Sequence, residues 1–421
     1  MTALPIEVGV TPRAVVALHG VLAACTVALL AGTAVLLQRY RERGPDLALD
    51  PFLLQVLAQS NLAVENVLAT WYSSMLLLAT AAVCVFCFLA EWRRPTSVLR
   101  FGWIVLAVVL AGLSWDELGS VHERVQLPSG TVGWLLWFVP FLVAVPGFLL
   151  LFAWCRLRRS RWALVYVCVA VALFVTVPVQ EFVEVEVMAA NAEPGWQRPV
   201  PFVVLEEGAE LLAVQFLLAG LIRHALDVLG QRRGGRVVLT VTVPGRRTMS
   251  ALWIAVVGLA AIATHELGRL VPPDPSHGRP ENWWPSALAF AAAVVALSAI
   301  ARARPGRESL SYALLAVLSL LVGAYVGGTV VYDAVRGVLA AGILVATALA
   351  VTSLRVTGTR LGAAVWGISA LTAVTVSDLL AVRLLLCAAA AGLGLGLLSA
   401  TGRAAVGSRR SGHRLVDAGS R

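Results

Sequence analysis

The chain contains a series of long apolar segments, each about as long as a lipid bilayer is thick. A membrane-spanning helix needs about 20 mostly apolar residues. Of the 421 residues, 59% are hydrophobic and only 14% are charged. One globular core cannot bury this excess, which excludes soluble enzymes, coiled coils and disordered chains. The sequence therefore predicts an all-α fold, a polytopic helical bundle that is integral to a membrane.

About twelve segments meet this length requirement, and we predict that each is a transmembrane helix. Residues 38–67 are too polar and too broken to span, and we expect the stretch 51–68 to lie along the membrane interface. The predicted spans lie near 13–37, 68–90, 101–122, 133–155, 162–182, 204–223, 249–266, 284–301, 309–332, 335–354, 361–377 and 380–400.

The distribution of charge predicts how these spans are oriented. In the twelve-span arrangement, 24 of the 33 arginines fall on the side of the amino terminus, and 19 of the 24 acidic residues fall on the other side. Because arginine-rich loops stay in the cytoplasm, we expect both termini to be cytoplasmic and the protein to lie in the plasma membrane. The net charge of +9 then reports topology, and we expect no nucleic-acid partner.

The basic segment QRRGGRVVLTVTVPGRR separates two sets of six predicted spans. We therefore expect four regions along the chain. They are a first six-helix half that carries the acidic site (1–229), a basic cytoplasmic linker (230–248), a second six-helix half (249–402) and a disordered basic tail (403–421).

Residues capable of chemistry gather at the extracytoplasmic ends of four predicted spans. The third span ends in LSWDELGSVHERV, the fifth in VQEFVEVEV and the seventh in HE, and the sixth begins with VLEEGAELL. Their acidic and imidazole side chains are Asp116, Glu117, His122, Glu123, Glu181, Glu184, Glu186, Glu206, Glu207, Glu210, His265 and Glu266.

The predicted depth of these residues makes them unusual. Asp116 lies 15 residues after Phe101, where the third span begins, which is about 22 Å along a helix axis. The hydrocarbon layer is about 30 Å thick, so Asp116 and Glu117 are predicted to lie beneath the membrane boundary. An ionised carboxylate at this depth costs several kcal/mol unless it is paired, protonated or bound to a metal ion.

Carboxylates and an imidazole from three helices are the ligand set of a divalent metal ion such as Mg²⁺, Mn²⁺, Fe²⁺ or Zn²⁺. The expected ligands are Asp116, Glu117, His122, Glu207 and Glu210. The expected catalytic residues are Glu181 and Glu123, one of which would act as the general base. The carboxylate-bridged helical bundles use a Glu-x-x-His motif, which these positions lack. The identity of the metal therefore stays open.

Several of these residues also have a structural explanation. Glu206 and Glu207 stand at the start of a helix, where acidic residues are favoured by the helix dipole. His122 would pair with Glu123 or Glu181 at the membrane interface. Asp116 and Glu117 are the hardest to explain by structure alone.

Three functions fit this pattern. The first is a metal-assisted membrane enzyme, a hydrolase or transferase, that acts on a lipid or lipid-linked substrate at the extracytoplasmic face. The second is a cation or proton-coupled transporter, although the inner halves of the predicted spans contain almost no polar residues. The third is a non-catalytic membrane assembly partner. Membrane lipids and either a lipid-linked substrate or a cation are the expected partners.

Overall fold

The computed structural model describes most of the first half of the chain and two helices of the second. Described are residues 4–43, 50–64, 67–91, 98–119, 131–190, 199–233, 236–243, 283–300 and 307–326, with the single residues 343 and 347. The chain divides into two compact units, Met1–Pro244 and Gly245–Arg421.

The described residues are mainly helical. The first unit contains one short and six long α-helices and three strands within the part that the structure describes. In chain order these are β1 (Leu4–Val10), α1 (Pro12–Arg43), α2 (Pro51–Gln59), α3 (Leu68–Glu91), α4 (Gly102–Gly119), α5 (Thr131–Leu157), α6 (Arg161–Ala190), α7 (Val200–His224), β2 (Gln231–Arg233) and β3 (Arg236–Val243). In the second unit, α8 is Trp283–Ile300 and α9 is Arg307–Val326.

Local sequence explains where two of these helices begin. The hydroxyl of Thr11 accepts a hydrogen bond from the Ala14 amide at 3.2 Å, and a proline follows as the first residue of α1. Asp50 Oδ1 accepts one from the Leu53 amide at 3.2 Å in front of Pro51, the first residue of α2. Each side chain satisfies an amide that has no partner within the helix, and proline has the backbone angle that a first turn requires.

Five of the helical segments in the described part of the chain are long and apolar enough to cross a membrane. They are Pro12–Arg43, Leu68–Glu91, Leu99–Gly119, Arg161–Gln180 and Val200–Leu229. These apolar helices indicate a membrane location. Shorter apolar helices cover Val143–Leu157 in α5 and Ser309–Tyr325 in α9.

The predicted count of twelve spans and the predicted side of the termini stay predictions. The spans predicted near 249–266, 361–377 and 380–400 lie outside the described residues, and so does the tail at 403–421. The same holds for 335–354 apart from residues 343 and 347.

The helices of the first unit pack around α3 and α7. The buried core includes Trp103 of α4, Phe152 of α5 and Leu217 and Leu221 of α7. α6 and α7 approach closely at Gly220, where a Cβ atom would lie 3.0 Å from the Ala163 carbonyl oxygen. Glycine at this position therefore allows the two backbones to pack.

A three-stranded antiparallel sheet was not part of the predicted all-α fold. The strand order is β1-β3-β2, with Leu4 opposite Val243 and Val10 opposite Val237. β2 and β3 lie within residues 230–248, which were predicted as a linker, and they pair with the first strand of the chain. The alternating β-branched residues of VVLTVTV favour this extended conformation.

Candidate functional site

The first unit has two ends with different chemistry. We call one the arginine end, defined by Glu91, Trp103, Arg156 and His224, where α3 and α7 finish, α4 begins and α5 finishes. We call the other the carboxylate end, defined by Asp116 and Glu117 near the end of α4 and by Glu206, Glu207 and Glu210 in the first turns of α7.

A buried ion pair holds four helices together at the arginine end. Glu91 Oε2 accepts hydrogen bonds from Arg156 Nη2 and, at 3.1 Å, from Trp103 Nε1. His224 Nε2 lies 3.9 Å from Glu91 Oε1, and its ring centroid is 5.4 Å from that of Trp103. The side chains of Glu91 and Arg156 are only 7% and 13% exposed. This acid is therefore neutralised within the protein.

A second and more exposed ion pair lies at the same end. Arg223 Nε is 2.8 Å from Asp227 Oδ2, one helical turn further along the chain. The same oxygen accepts a hydrogen bond from the Ser160 hydroxyl at 2.7 Å, which connects the start of α6 to the end of α7.

Two serines fix the register of α3 against α4 near the carboxylate end. The Ser74 hydroxyl donates to the Ser114 carbonyl at 2.6 Å, and the Ser114 hydroxyl donates to the Ser74 carbonyl at 2.7 Å. Both serines are completely buried. Since Glu91 contacts Trp103 at the other end, the two helices run antiparallel, and Asp116 lies about 3 Å beyond Ser114 along α4.

An apolar contact gives the corresponding register for α7. Leu211 packs in one cluster with Leu62, Val67 and Ala69, at the start of α3. Glu210 is the residue before Leu211, and Glu206 and Glu207 lie one turn closer to the start of the helix. The acidic residues of α4 and α7 therefore lie at one end of the unit, on either side of the first turns of α3.

None of these five carboxylates is without an interaction partner. Glu206 is buried and the other four are partly buried. Within the described part of the chain, no three His, Cys, Asp or Glu side chains form a group that could hold a metal ion. The described members of the predicted ligand set, Asp116, Glu117, Glu207 and Glu210, thus do not make a metal site by themselves.

Other predicted site residues have no described side chain. His122 and Glu123 lie outside the described residues, and so do His265 and Glu266. Glu181 falls within α6, but the side chain of Glu181 is not described. The predicted metal site and the catalytic roles of Glu181 and Glu123 therefore stay predictions.

Two buried polar atoms adjoin the predicted site residues in sequence. Trp115 Nε1 and Gln180 Oε1 are buried without a hydrogen-bond partner, among the side chains that the structure describes. Trp115 precedes Asp116, and Gln180 precedes Glu181. A buried polar atom of this kind is normally satisfied by water or by a ligand.

A polar cluster lies between the two ends. Gln215 Nε2 of α7 donates to Thr26 Oγ1 of α1 and to Tyr72 Oη of α3, the latter at 3.2 Å. Tyr72 Oη also donates to the Leu22 carbonyl at 3.0 Å. Gln215 follows Glu210 by five residues, about 7.5 Å along the helix. We call Thr26, Tyr72 and Gln215 the central cluster.

Sequence reasoning missed the central cluster and the ion pair of Glu91. Glu91 was assigned to a loop, and His224 and Gln215 were not considered. The sequence signal was present, because the first two turns of α3 contain TWYSS, and Thr70, Ser73 and Ser74 are all buried in a mainly apolar helix. Polar residues inside a membrane helix normally face other helices.

Comparison with known proteins adds one finding. Residues 16–224 match a family model described as a domain of unknown function, DUF8692. The matched range includes every site residue predicted in the first half of the chain, from Asp116 to Glu210. No curated protein and no solved structure matches the chain.

Proposed function

We propose that this is a multi-pass plasma-membrane protein whose working site is the carboxylate end of the first unit, and that this end faces the extracytoplasmic side. The activity that we propose is a metal-assisted hydrolase or transferase reaction on a lipid or lipid-linked substrate. The observation that supports it is the juxtaposition of acidic residues from α4 and α7 around the start of α3.

The cost of burying charge makes this juxtaposition informative. The stretches 68–80, 110–119 and 200–215 are the halves of α3, α4 and α7 nearest the carboxylate end, and they contain five acidic residues and no arginine or lysine. The arginines of this end, Arg39, Arg41 and Arg43, lie on α1. Concentrated carboxylates repel one another and are stabilised by a cation or a proton. A divalent metal ion supplies that positive charge and is also a catalyst.

Each predicted residue has a role in this proposal. Asp116, Glu117, Glu207 and Glu210, together with His122, are the ligands of a divalent ion. Either Glu181 or Glu123 is the general base. A metal ion at this depth would activate water or polarise a phosphoryl or acyl group, and a substrate that is itself a lipid reaches the same depth without leaving the membrane.

The metal content of the purified full-length protein tests this proposal. We expect at least one equivalent of a divalent metal in the wild-type protein and a loss of most of it in Asp116→Asn and Glu210→Gln. Asp50→Asn is the matched control, because Asp50 is an exposed acid near the same end and asparagine caps α2 equally well. Equal metal content in all four proteins, or none in the wild type, would overturn the metal proposal.

The orientation has a separate test. A cysteine at Ala192 should react with an impermeant thiol reagent on intact cells, and one at Gly234 should not. The reverse labelling would place the carboxylate end in the cytoplasm.

The central cluster favours a second candidate, a cation or proton-coupled transporter. Gln215 belongs to this cluster and also lines a cavity of about 700 Å³ that reaches the arginine end and contains His19 and Asp227. Polar groups therefore follow α7 from Glu210 to the opposite end of the unit. The objection to a transporter, that the inner halves of the predicted spans contain almost no polar residues, is therefore weaker.

Ion flux separates the two candidates. In proteoliposomes with a trapped pH indicator and an imposed membrane potential, the internal pH should change only if the protein conducts protons. Gln215→Leu and Glu210→Gln should then slow this change of pH. Metal binding without flux supports the enzyme, whereas flux that both variants abolish supports the transporter. The absence of both leaves the non-catalytic assembly partner.

A further inference from the structure

The first unit contains a cavity at the arginine end that the proposed enzyme reaction does not use. Its volume is about 700 Å³, which is within the range of small-molecule sites. It lies between the first half of α1, the start of α6 and the second half of α7, and β2 and β3 line it at one end. All of its lining residues belong to the first unit.

The lining of this cavity is amphipathic. Val16 and Ala23 of α1 and Leu212 and Phe216 of α7 form an apolar part. A polar part lies beside it, with His19, Arg223, Asp227 and Arg232. The cavity therefore matches a molecule that has an apolar portion and a polar head.

The charges of the polar part favour an anion. The ion pair of Arg223 and Asp227 largely cancels, which leaves the exposed guanidinium of Arg232 as an additional positive charge. Thr11 and Pro12, at the start of α1, also line the cavity, and the start of a helix carries a partial positive charge. A guanidinium binds phosphate through strong charge-assisted hydrogen bonds.

The surroundings of α1 indicate where the occupant comes from. Val16, Leu18 and Val21 are 72%, 44% and 61% exposed on the first unit, although α1 is apolar enough to span a membrane. Such a surface is suited to contact with acyl chains. A molecule that enters beside α1 would therefore come from the lipid phase.

We propose that this cavity binds an anionic phospholipid. The phosphate headgroup lies against Arg232 and the start of α1, and an acyl chain lies along the apolar part, between α1 and α7. The proposed headgroup position, at Arg232 and the start of α1, lies at the opposite end of the unit from Asp116 and Glu210.

Thermal stability of the full-length protein in a neutral detergent tests the proposal. The probes are phosphatidylglycerol, phosphatidylcholine with the same acyl chains, and inorganic phosphate. We expect phosphatidylglycerol alone to raise the melting temperature in a saturable manner. Equal stabilisation by phosphatidylcholine would show that the charge is irrelevant, and stabilisation by inorganic phosphate would identify a site for a soluble anion; each result overturns the proposal.

Two variants locate the effect. Arg232→Gln should weaken the apparent affinity for phosphatidylglycerol about tenfold, because a charge-assisted contact is lost. Ala219→Phe should abolish binding by filling the apolar part of the cavity, of which Ala219 forms a wall. Arg41→Gln is the matched control, an exposed arginine at the far end of α1. An unchanged affinity for phosphatidylglycerol in both Arg232→Gln and Ala219→Phe would exclude this cavity as the binding site. Asp116→Asn should leave this affinity unaltered, whether or not the carboxylate end binds a metal ion.

Discussion

The arginine end and the carboxylate end hold acidic side chains in different ways. At the arginine end, Glu91 receives hydrogen bonds from an arginine and a tryptophan of two other helices, and Asp227 receives them from Arg223 and Ser160. At the carboxylate end, the flanking stretches of α3, α4 and α7 contain acids and no basic residue. The comparison teaches that one end uses charge to join helices, while at the other the carboxylates of α4 and α7 are concentrated on helices that carry no basic residue there. The arginines of that end lie on α1. Such a concentration of acids is the pattern expected of a site.

The largest expected difference is between Glu91→Gln and Glu210→Gln. Removing the charge of Glu91 leaves the buried guanidinium of Arg156 without its counter-ion, which should lower the free energy of unfolding by about 3–5 kcal/mol. Glu210→Gln should change it by less than about 1 kcal/mol, because glutamine keeps the size of this partly buried side chain and its capacity to form hydrogen bonds. Denaturant unfolding in detergent micelles measures both, and an equal loss in the two variants would remove the distinction between the ends.

A smaller difference is expected between two glycines of α7. Gly220→Ala, in the half of α7 that ends at the arginine end, should destabilise the protein by about 1–3 kcal/mol, because the new methyl group would press on the backbone of α6. Gly208 lies near the carboxylate end, where a Cβ atom would be 3.5 Å from the side chain of Leu30, an ordinary contact. Gly208→Ala should therefore be neutral or slightly stabilising by thermal melting. The opposite order would show that the helices pack more tightly at the carboxylate end.

The reciprocal serine pair allows a double-mutant cycle next to the carboxylate end. Ser74→Ala and Ser114→Ala should each destabilise α3 against α4, with a coupling energy of about 0.6–1.7 kcal/mol. The quantity to measure is the difference between the double variant and the sum of the single variants. Strict additivity would mean that this contact does not fix the register that brings Asp116 next to α3.

The smallest effect is expected for the exposed ion pair at the arginine end. The side chains of Arg223 and Asp227 are 48% and 29% exposed, so solvent screens their attraction. Arg223→Gln should cost about 0.2–1 kcal/mol, and 1 M salt should erase the difference from the wild type. A loss of unfolding free energy as large as that of Glu91→Gln would show that solvent exposure does not determine the difference in strength between the two ion pairs.

The helices were predictable because continuous apolar runs determine them. The span predicted at 68–90 is α3 at Leu68–Glu91, and the span predicted at 204–223 lies within α7 at Val200–His224. Such a run needs no partner to be recognised, since its backbone hydrogen bonds are made within the segment. The number of spans depends on the whole chain, and the described residues support five.

The contacts between elements were not predictable in the same way. In the sequence, Glu91 cannot be distinguished from an acidic residue of a loop. Its partners Arg156 and Trp103 are identified only by the packing of α4 and α5 against α3. The sheet pairs β1 with β3, which are separated by more than 200 residues, so no local pattern identifies the partner. Helix direction and depth follow from span order, which is why the sequence predicts that Asp116 and Glu210 share one end, while the predicted site as a whole stays a prediction. The sequence could not predict the lateral distances between the acids.

The pairing of Leu4 with Val243 has a consequence for the architecture of the first unit. It brings the two ends of the first unit together, so that the polypeptide enters and leaves the described helices of this unit at adjacent positions. β1 also covers one edge of β3, and an uncovered strand edge is a template for association with another chain. The first ten residues thus join the two ends of the first unit, and removing them would separate the entry point from the exit point while leaving its long apolar helices intact.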